Sequence, residues 1–477
     1  MALPAPRRYN QKGGVKRSEE PEMKKISFVF LMAALAAPVL GQEKDLDLND
    51  LVSRALERNP GIKALEDVSQ ASKFSITPAG ALPDPVIGFG FKNMSTQWTV
   101  GEEVMSEVSL AFSQTFPFPG KQRLKSEIAS TQFLQTAESY KAARLTLVRE
   151  IKELYAKLYY YQKAADFLRQ KKAVLEKALN LAELKYSVGT GAQPDIFRAQ
   201  VEISGIDEML LNMNQMIRTT SANINALLDL PSESPLGQAK EISLYALNAD
   251  LETLSQKAEK TSPRLQGARL MIEQGEIEVR MAKKEFYPNF MVQVGKGFKG
   301  PIPDMYEFMV GVEIPLWSGK KQSPLLEQAV CRLSGTRNEY ASMRNEVGFM
   351  VTESYTMART SGDLAALYRE RILPQARLAY ESSLANYQTG KVDFLMLVSD
   401  ITNLFTYEAE YVRNLSGLWS AAARLEELTS LELIDPAPPA PPSSAASAAV
   451  ATGPGASSKS REGGGATVTS NAPGTEE

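Results

Sequence analysis

Four short stretches of this chain occur twice, in the same order and about 200 residues apart, and no other feature limits the fold as much. Leu51 to Ala55 with its stop at Asn59-Pro60 matches Leu254 to Ala258 with Ser262-Pro263, and Pro85 matches Pro288. Phe116-Pro-Phe-Pro-Gly-Lys-Gln122 matches Ile314-Pro-Leu-Trp-Ser-Gly-Lys-Lys-Gln322 with one residue inserted, and Tyr186-Ser-Val-Gly189 matches Tyr387-Gln-Thr-Gly390. Self-similarity at a fixed spacing means one architectural unit used twice. Each unit reads helix, two strands, long helix, turn, helix.

The strands are expected at 86–98 and 104–116 in the first unit, and at 289–299 and 305–316 in the second. Apolar side chains alternate along them, as in Ile87, Phe89 and Phe91, or Phe308, Val310 and Val312, while Gly88, Gly90, Ser109, Ser113, Gln293 and Glu307 take the other face. Period-two alternation marks a strand with one oily and one polar side. It suits a membrane barrel strand of about 9 to 11 residues, with Trp98, Tyr306 and Trp317 placed for the lipid–water interfaces. A half-buried sheet in a soluble protein alternates in the same way. Four strands cannot close a barrel, and an open edge in hydrocarbon leaves backbone groups without partners, so the strands must be shared between protomers. Two copies would give a filled barrel of eight strands, whereas three would give twelve and leave a lumen. Met291 and Met309 fall on the polar faces, where methionine is read as filler rather than as a soft-metal ligand.

Helices are expected over 120–187, 193–229, 250–287, 320–388 and 393–430. The first of these, free of proline after Pro119, would extend roughly 100 Å at 1.5 Å per residue, far beyond the needs of a compact domain. Leu147, Ile151, Leu154, Leu158, Tyr161, Ala165 and Leu168 alternate spacings of four and three, as do Leu397, Ile401 and Leu404 near the other end. That is a coiled-coil seam, interrupted by Lys172 and Glu408. Between the units, Pro231-Ser-Glu-Ser-Pro235 and the stretch to Asn248 predict a small mixed region at mid-height.

Chemistry is limited by what the chain lacks. It has no histidine, so the usual general base, zinc ligand and triad centre are missing, and no catalytic, cofactor-binding or metal site is expected. Its one cysteine, Cys331, reads as a small packing residue. The 53 basic and 56 acidic residues nearly balance, which offers nucleic acid no electrostatic footprint. Without a Gly-Lys-Ser/Thr phosphate loop, any energy for transport must come from a partner.

Met23, Lys24 and Lys25 before the apolar run Ile26 to Ala37, with small residues up to Gly41, form a secretory signal peptide too short to span a bilayer. Residues 1–22 read as an upstream extension, 42–235 and 236–433 as the two repeats, and 434–477, rich in Pro, Ser, Ala and Gly, as a disordered tail. The fold class is thus a mixed α and β membrane protein with an internal two-fold repeat. A soluble periplasmic coiled-coil scaffold or adaptor without a pore is the competing reading.

Leu82-Pro-Asp-Pro85 before a strand, Phe116-Pro-Phe-Pro-Gly-Lys121 opening a long helix, and Tyr387-Gln-Thr-Gly-Lys-Val-Asp-Phe-Leu395 together resemble the TolC-type outer-membrane efflux family over Asp45 to Leu433, particularly its heavy-metal resistance branch. The resemblance implies a homotrimer in outer-membrane lipid of a Gram-negative bacterium, four strands per protomer in a twelve-stranded barrel, and a helical periplasmic tunnel. It also implies a periplasmic adaptor protein and an inner-membrane RND-type transporter as partners. The tips are then the turns Tyr186 to Asp195 and Tyr387 to Asp393, with Gly189, Gly191 and Gly390 making the bends. Rings of Asp195 and Asp393 could line the entrance and favour cations, or the two aspartates could cap helices. Tyr186 and Tyr387 are expected to hydrogen-bond across the closed tip. Pro117, Gly120, Pro315 and Gly319 mark the strand-to-helix junctions. Met396 stands where some relatives carry another acid.

Overall fold

The computed structural model describes residues 45–92, 106–245 and 247–434. The signal peptide, the upstream extension, Trp98, the inner ends of the first two expected strands and the tail beyond Ile434 lie outside these residues. In chain order the elements are α1 (Leu48–Arg58), α2 (Pro60–Phe74), α3 (Ile76–Gly80), β1 (Val86–Lys92), β2 (Glu107–Phe116), α4 (Lys121–Ser187) and α5 (Gln193–Leu227). There follow α6 (Leu251–Thr261), α7 (Pro263–Lys284), β3 (Asn289–Phe298), β4 (Met305–Glu313), α8 (Gln322–Leu367), a π-helical segment (Tyr368–Ile372), α9 (Leu373–Gln388) and α10 (Phe394–Thr429).

The 67 residues of α4 make a rod of roughly 100 Å. Its seam residues Ile151, Leu158, Ala165 and Leu175 are fully buried. Lys172, the polar interruption of that seam, ends 2.6 Å from Asp207 on α5, so an inter-helix ion pair takes the place of an apolar contact. Glu408 on α10 is the other interruption. Burial holds its carboxyl above the usual range against the pull of Arg377, which reaches one oxygen at 3.4 Å. Among the described residues no helix is long and apolar enough to cross a membrane.

Three expected spans are corrected. A single helix over 250–287 divides into α6 and α7 at Ser262, because Pro263 lacks the N–H that would continue α6 and instead opens α7. A single helix over 320–388 is interrupted by the π-helical segment just before Pro374. A proline inside a helix frees a carbonyl and crowds the preceding turn, and a wider turn accommodates both. That turn carries one extra residue: Tyr155 and Tyr355 stand 200 positions apart, whereas Tyr186 and Tyr387 stand 201 apart. The strand expected to reach Leu316 stops at Glu313, two residues before Pro315, and leaves Trp317 in the following turn. Cys331, expected to pack inside, is exposed on α8.

The four strands form one antiparallel sheet in the order β1-β2-β3-β4, so β2 and β3 join the two halves of the chain. Registered rows such as Ile87, Phe112, Val294 and Phe308 put one oily face together, and the rows of Gly88, Ala111, Gly295 and Glu307 make the other. Phe89 and Phe308 on the oily face are 76% and 70% exposed. Lys296 also belongs to that face, near the strand ends, where it pairs with Asp304 at 3.0 Å and lies over the rings of Phe298 and Tyr306. A long amine on an oily face is tolerated where it can reach water at the rim.

At mid-height the segment after α5 runs back over α4, with a parallel bridge from Ala239 to Leu46. Tyr155 donates its hydroxyl to the Leu46 carbonyl at 3.0 Å, and burial pushes that hydroxyl up to about 12, so it remains a donor at ordinary pH. Nearby, Arg149 pairs with Glu427 at 2.7 Å and with Glu153 at 2.8 Å, and Lys152 pairs with Glu426, tying α4 to α10 by charge as well as by packing.

Candidate functional site

Both helical turns are built the same way. Gly189 (φ 73°) and Gly390 (φ 74°) occupy the left-handed region that lets a helix end and reverse. The N–H of Thr190 returns to the Lys185 carbonyl and that of Lys391 to the Asn386 carbonyl, each at 2.9 Å. Gly191 is required for space, since a Cβ there would stand 2.8 Å from the Tyr186 nitrogen.

The two aspartates part ways. Asp393 caps α10, its Oδ1 accepting the Met396 N–H at 2.9 Å. Asp195 does not cap α5, whose N-cap position is Ala192, and lies in its first turn, where a helix N-terminus favours negative charge. Asp195 stands close enough to Tyr387 to assist burial, the main cause, in raising that phenol above its ordinary range. Tyr387 is buried against Phe394, ring centres 5.6 Å apart, whereas Tyr186 is 48% exposed. The structure therefore brings Asp195 to Tyr387 and leaves Tyr186 outside that cluster.

Lys185, which the sequence reading passed over, links the two hairpins. Its ammonium donates to the Tyr387 carbonyl and lies 4.2 Å from the centre of that ring. One apolar core, including Leu175, Ala182, Ile206, Tyr387, Phe394 and Leu397, joins the tips of both hairpins beneath it. Only its place beside Tyr186 could have drawn attention to Lys185, because the contact is with a residue 202 positions away.

The first strand-to-helix junction is a second organised cluster. After Pro117, Gly120 takes φ 95° and so turns the chain into α4. Lys121 is then buried, its Nζ donating to Glu285 at 3.1 Å, the Tyr287 carbonyl at 3.2 Å and Asn289 Oδ1 at 3.0 Å. Phe118 stacks on Tyr287 at 4.5 Å, with the Lys284 ammonium over both rings. At the second junction the inserted residue changes the turn. The N–H groups of Lys320 and Lys321 both return to the Trp317 carbonyl after Pro315, and Gly319 has open space around its Cα rather than a left-handed backbone. Among the described residues no cluster of acids or cysteine could hold a metal ion.

An open-edged sheet with one oily face, carried on long helices of which α4 reaches roughly 100 Å, with paired turns at their ends, is the form of a membrane conduit. The model of the outer membrane efflux protein family matches residues 51–229 and again residues 254–430, and the chain belongs to that family. It is an outer-membrane efflux channel with a large periplasmic helical part. It is similar to the outer membrane protein TolC of Vibrio cholerae, with 21% identity over 428 residues, covering 85% of this chain and 97% of that one. Its fold is that of solved channels. CusC superposes with a TM-score of 0.71 at 16% identity, over 81% of this chain and 92% of that one. VceC of Vibrio cholerae superposes with a TM-score of 0.68 at 18% identity, over 80% and 96%.

Proposed function

We propose that three copies of this chain close a twelve-stranded barrel in outer-membrane lipid and hang a helical tunnel into the periplasm. In this reading residues 42–235 and 236–433 are one unit used twice, and the duct conducts passively. The observation that carries it is the sheet: among the described residues its edge strands β1 and β4 have no further neighbour, and its oily face is exposed. Neither water nor lipid tolerates that arrangement, and closure with identical sheets satisfies both the edges and the face. Three sheets are the smallest number that leaves a lumen.

At the tips, Phe197, Val201 and Leu395 border an apolar groove of about 400 Å³ between α5 and α10. It is suited to a periplasmic adaptor, itself joined to an inner-membrane RND-type transporter that supplies the energy. Tyr186, Gly189, Gly191, Asp195, Tyr387, Gly390 and Asp393 form the entrance, and Pro117, Gly120, Pro315 and Gly319 set the angle between barrel and tunnel.

The test is the mature protein in detergent and in planar bilayers. A trimer that dissociates only on heating, and stepwise ion currents after reconstitution, are expected; a water-soluble monomer inert toward lipid overturns the proposal. The same recordings separate gating from capping. Asparagine caps a helix as well as aspartate does, so the double variant Asp195→Asn, Asp393→Asn should keep its fold and lose much of its preference for potassium over chloride. An unchanged permeability ratio removes the carboxylate rings. Asp393→Ala alone should cost about 1 kcal/mol of stability through the lost cap.

A further inference from the structure

The two hairpins carry the same polar interruption in their seams and treat it differently. Asp207 on α5 and Glu408 on α10 stand 201 positions apart, the spacing that also relates Tyr186 to Tyr387 and Gly189 to Gly390, so they are counterparts. In the first hairpin the acid is answered in partial contact with water, by Lys172 at 2.6 Å. In the second, the place of Lys172 falls to Leu373, and the acid is left to Arg377, which stands where the first hairpin has Glu176.

Arg377 answers it poorly. Its exposed guanidinium meets one oxygen of Glu408 at 3.4 Å, whereas the Glu408 side chain is only 14% exposed and its Oε2 is buried without a hydrogen-bond partner. The other charges nearby are engaged elsewhere. In the π-helical segment, Arg369 acts on Tyr411, and Tyr368 lies against Tyr407 with ring centres 6.2 Å apart. Helix α4 presents Tyr160, whose charged neighbours are Arg413 and Glu410. Among the described residues, no charged group of α4, α5, α6 or α8 acts on the Glu408 carboxyl.

An ionised carboxylate with one oxygen buried and unpaired is costly, and the cost disappears when the group takes a proton or meets water. Burial therefore raises this carboxyl out of the ordinary range, with Arg377 pulling the other way. The sign follows from linkage. A carboxyl raised only while the helices are packed favours packing when protonated; that stabilisation is complete below the ordinary carboxylate range and is lost as pH rises through the raised one.

Beside Glu408 the hairpin has a weak point. The π-helical segment ends at Ile372, and Pro374 then brings no N–H to the turn before it. Helices bend sharply at such places. Beyond it, Tyr387, Phe394, Leu397 and Ile401 belong to the apolar core that joins the two tips. Glu408, reached by Arg377 from α9, thus stands between the weak point and the turns.

We propose that Glu408 is a proton-operated latch on the second hairpin: protonated, it seats α9 against α10, and ionised, it releases the arm 373–404 to bend at the π-helical segment. The first hairpin, whose acid is paired in partial contact with water, keeps its shape over the same range of pH. Releasing the arm makes the channel open more readily, a consequence that rests on the reading of the paired turns as the entrance.

Two measurements on the mature protein, between about pH 4.5 and about pH 8, test this. Amide hydrogen exchange in detergent, corrected for the chemical rate at each pH, should quicken by about threefold or more over 373–404 as pH rises and stay level over 193–227. Glu408→Gln, neutral and of the same shape, should hold 373–404 at the slow rate throughout. Glu408→Asp should keep the pH dependence, and Arg377→Gln, which removes the charge that favours the ionised form, should move it to higher pH. A level profile over 373–404 in the parent, or a Glu408→Gln variant that follows the parent, overturns the proposal. In planar bilayers the parent's open probability should rise over the same interval and that of Glu408→Gln should stay low. If exchange responds in this way and open probability does not, the latch stands and the reading of the paired turns as the entrance falls.

Discussion

Replacing Lys185 with alanine should open the reconstituted channel, raising its open probability by about tenfold or more. The Lys185 ammonium holds the Tyr387 carbonyl and lies 4.2 Å from the centre of the Tyr387 ring, so it clamps the end of α4 to the end of α9. A hydrogen bond from a charged donor contributes about 1.5–3 kcal/mol and a partly shielded cation–π contact about 1 kcal/mol. Losing both in each protomer removes about 2–4 kcal/mol from the closed arrangement, and every 1.4 kcal/mol is tenfold in an equilibrium. The contact uses the carbonyl and the ring face of Tyr387, so Tyr387→Phe should leave the clamp intact and Lys185→Arg should largely restore it. Single-channel recording of the three variants is the measurement. If the alanine variant gates like the parent, the hairpins are held shut by the apolar core of Leu175, Phe394 and Leu397 alone.

The periodic features were legible and the tertiary ones were not. Period-two alternation around Phe89 and Phe308, and the four-three spacing through Ile151 and Leu158, report burial along a single element, which sequence records directly. The break at Ser262 and the wider turn before Pro374 were signalled by their prolines, but a helical pattern continues on both sides of each and hides how the backbone adjusts. At the tips, the spacing of Tyr186 from Gly189 and of Tyr387 from Gly390 located the turns. It could not reveal that Tyr387 turns inward while Tyr186 stays exposed, because that depends on how the hairpins pack. Lys185 and Lys121 escaped for the same reason. Each is one lysine among many on a polar helix until the fold sets acceptors around it, and those of Lys121 lie 164 to 168 positions away.

Lys121 gives the largest expected loss of stability. Lys121→Met keeps the length of the buried stem and removes its charge, stripping a charged donor from Glu285, the Tyr287 carbonyl and Asn289 together. Glu285 can turn toward solvent and Asn289 Oδ1 keeps the Phe118 N–H at 3.3 Å, whereas the Tyr287 carbonyl loses the Lys121 donor. Breaking a buried pair on one side costs about 3–5 kcal/mol, and with Glu285 partly solvated the expected loss is about 2–4 kcal/mol, read as a lower denaturant midpoint for the mature protein. The junction joins β2 and α4 to α7 and β3, so the loss should also loosen the angle at which the tunnel leaves the barrel. Lys321 is the telling comparison. It occupies the matching place in the second half and is exposed among the described residues. If the unit repeats around a ring, the neighbouring protomer supplies that surround. Lys321→Met should then leave the dissociated chain as stable as the parent and lower the temperature at which the trimer comes apart, whereas Lys121→Met should weaken both. Equal effects of the two substitutions on the dissociated chain would show that Lys321 has its partners at home, and the ring would need another explanation.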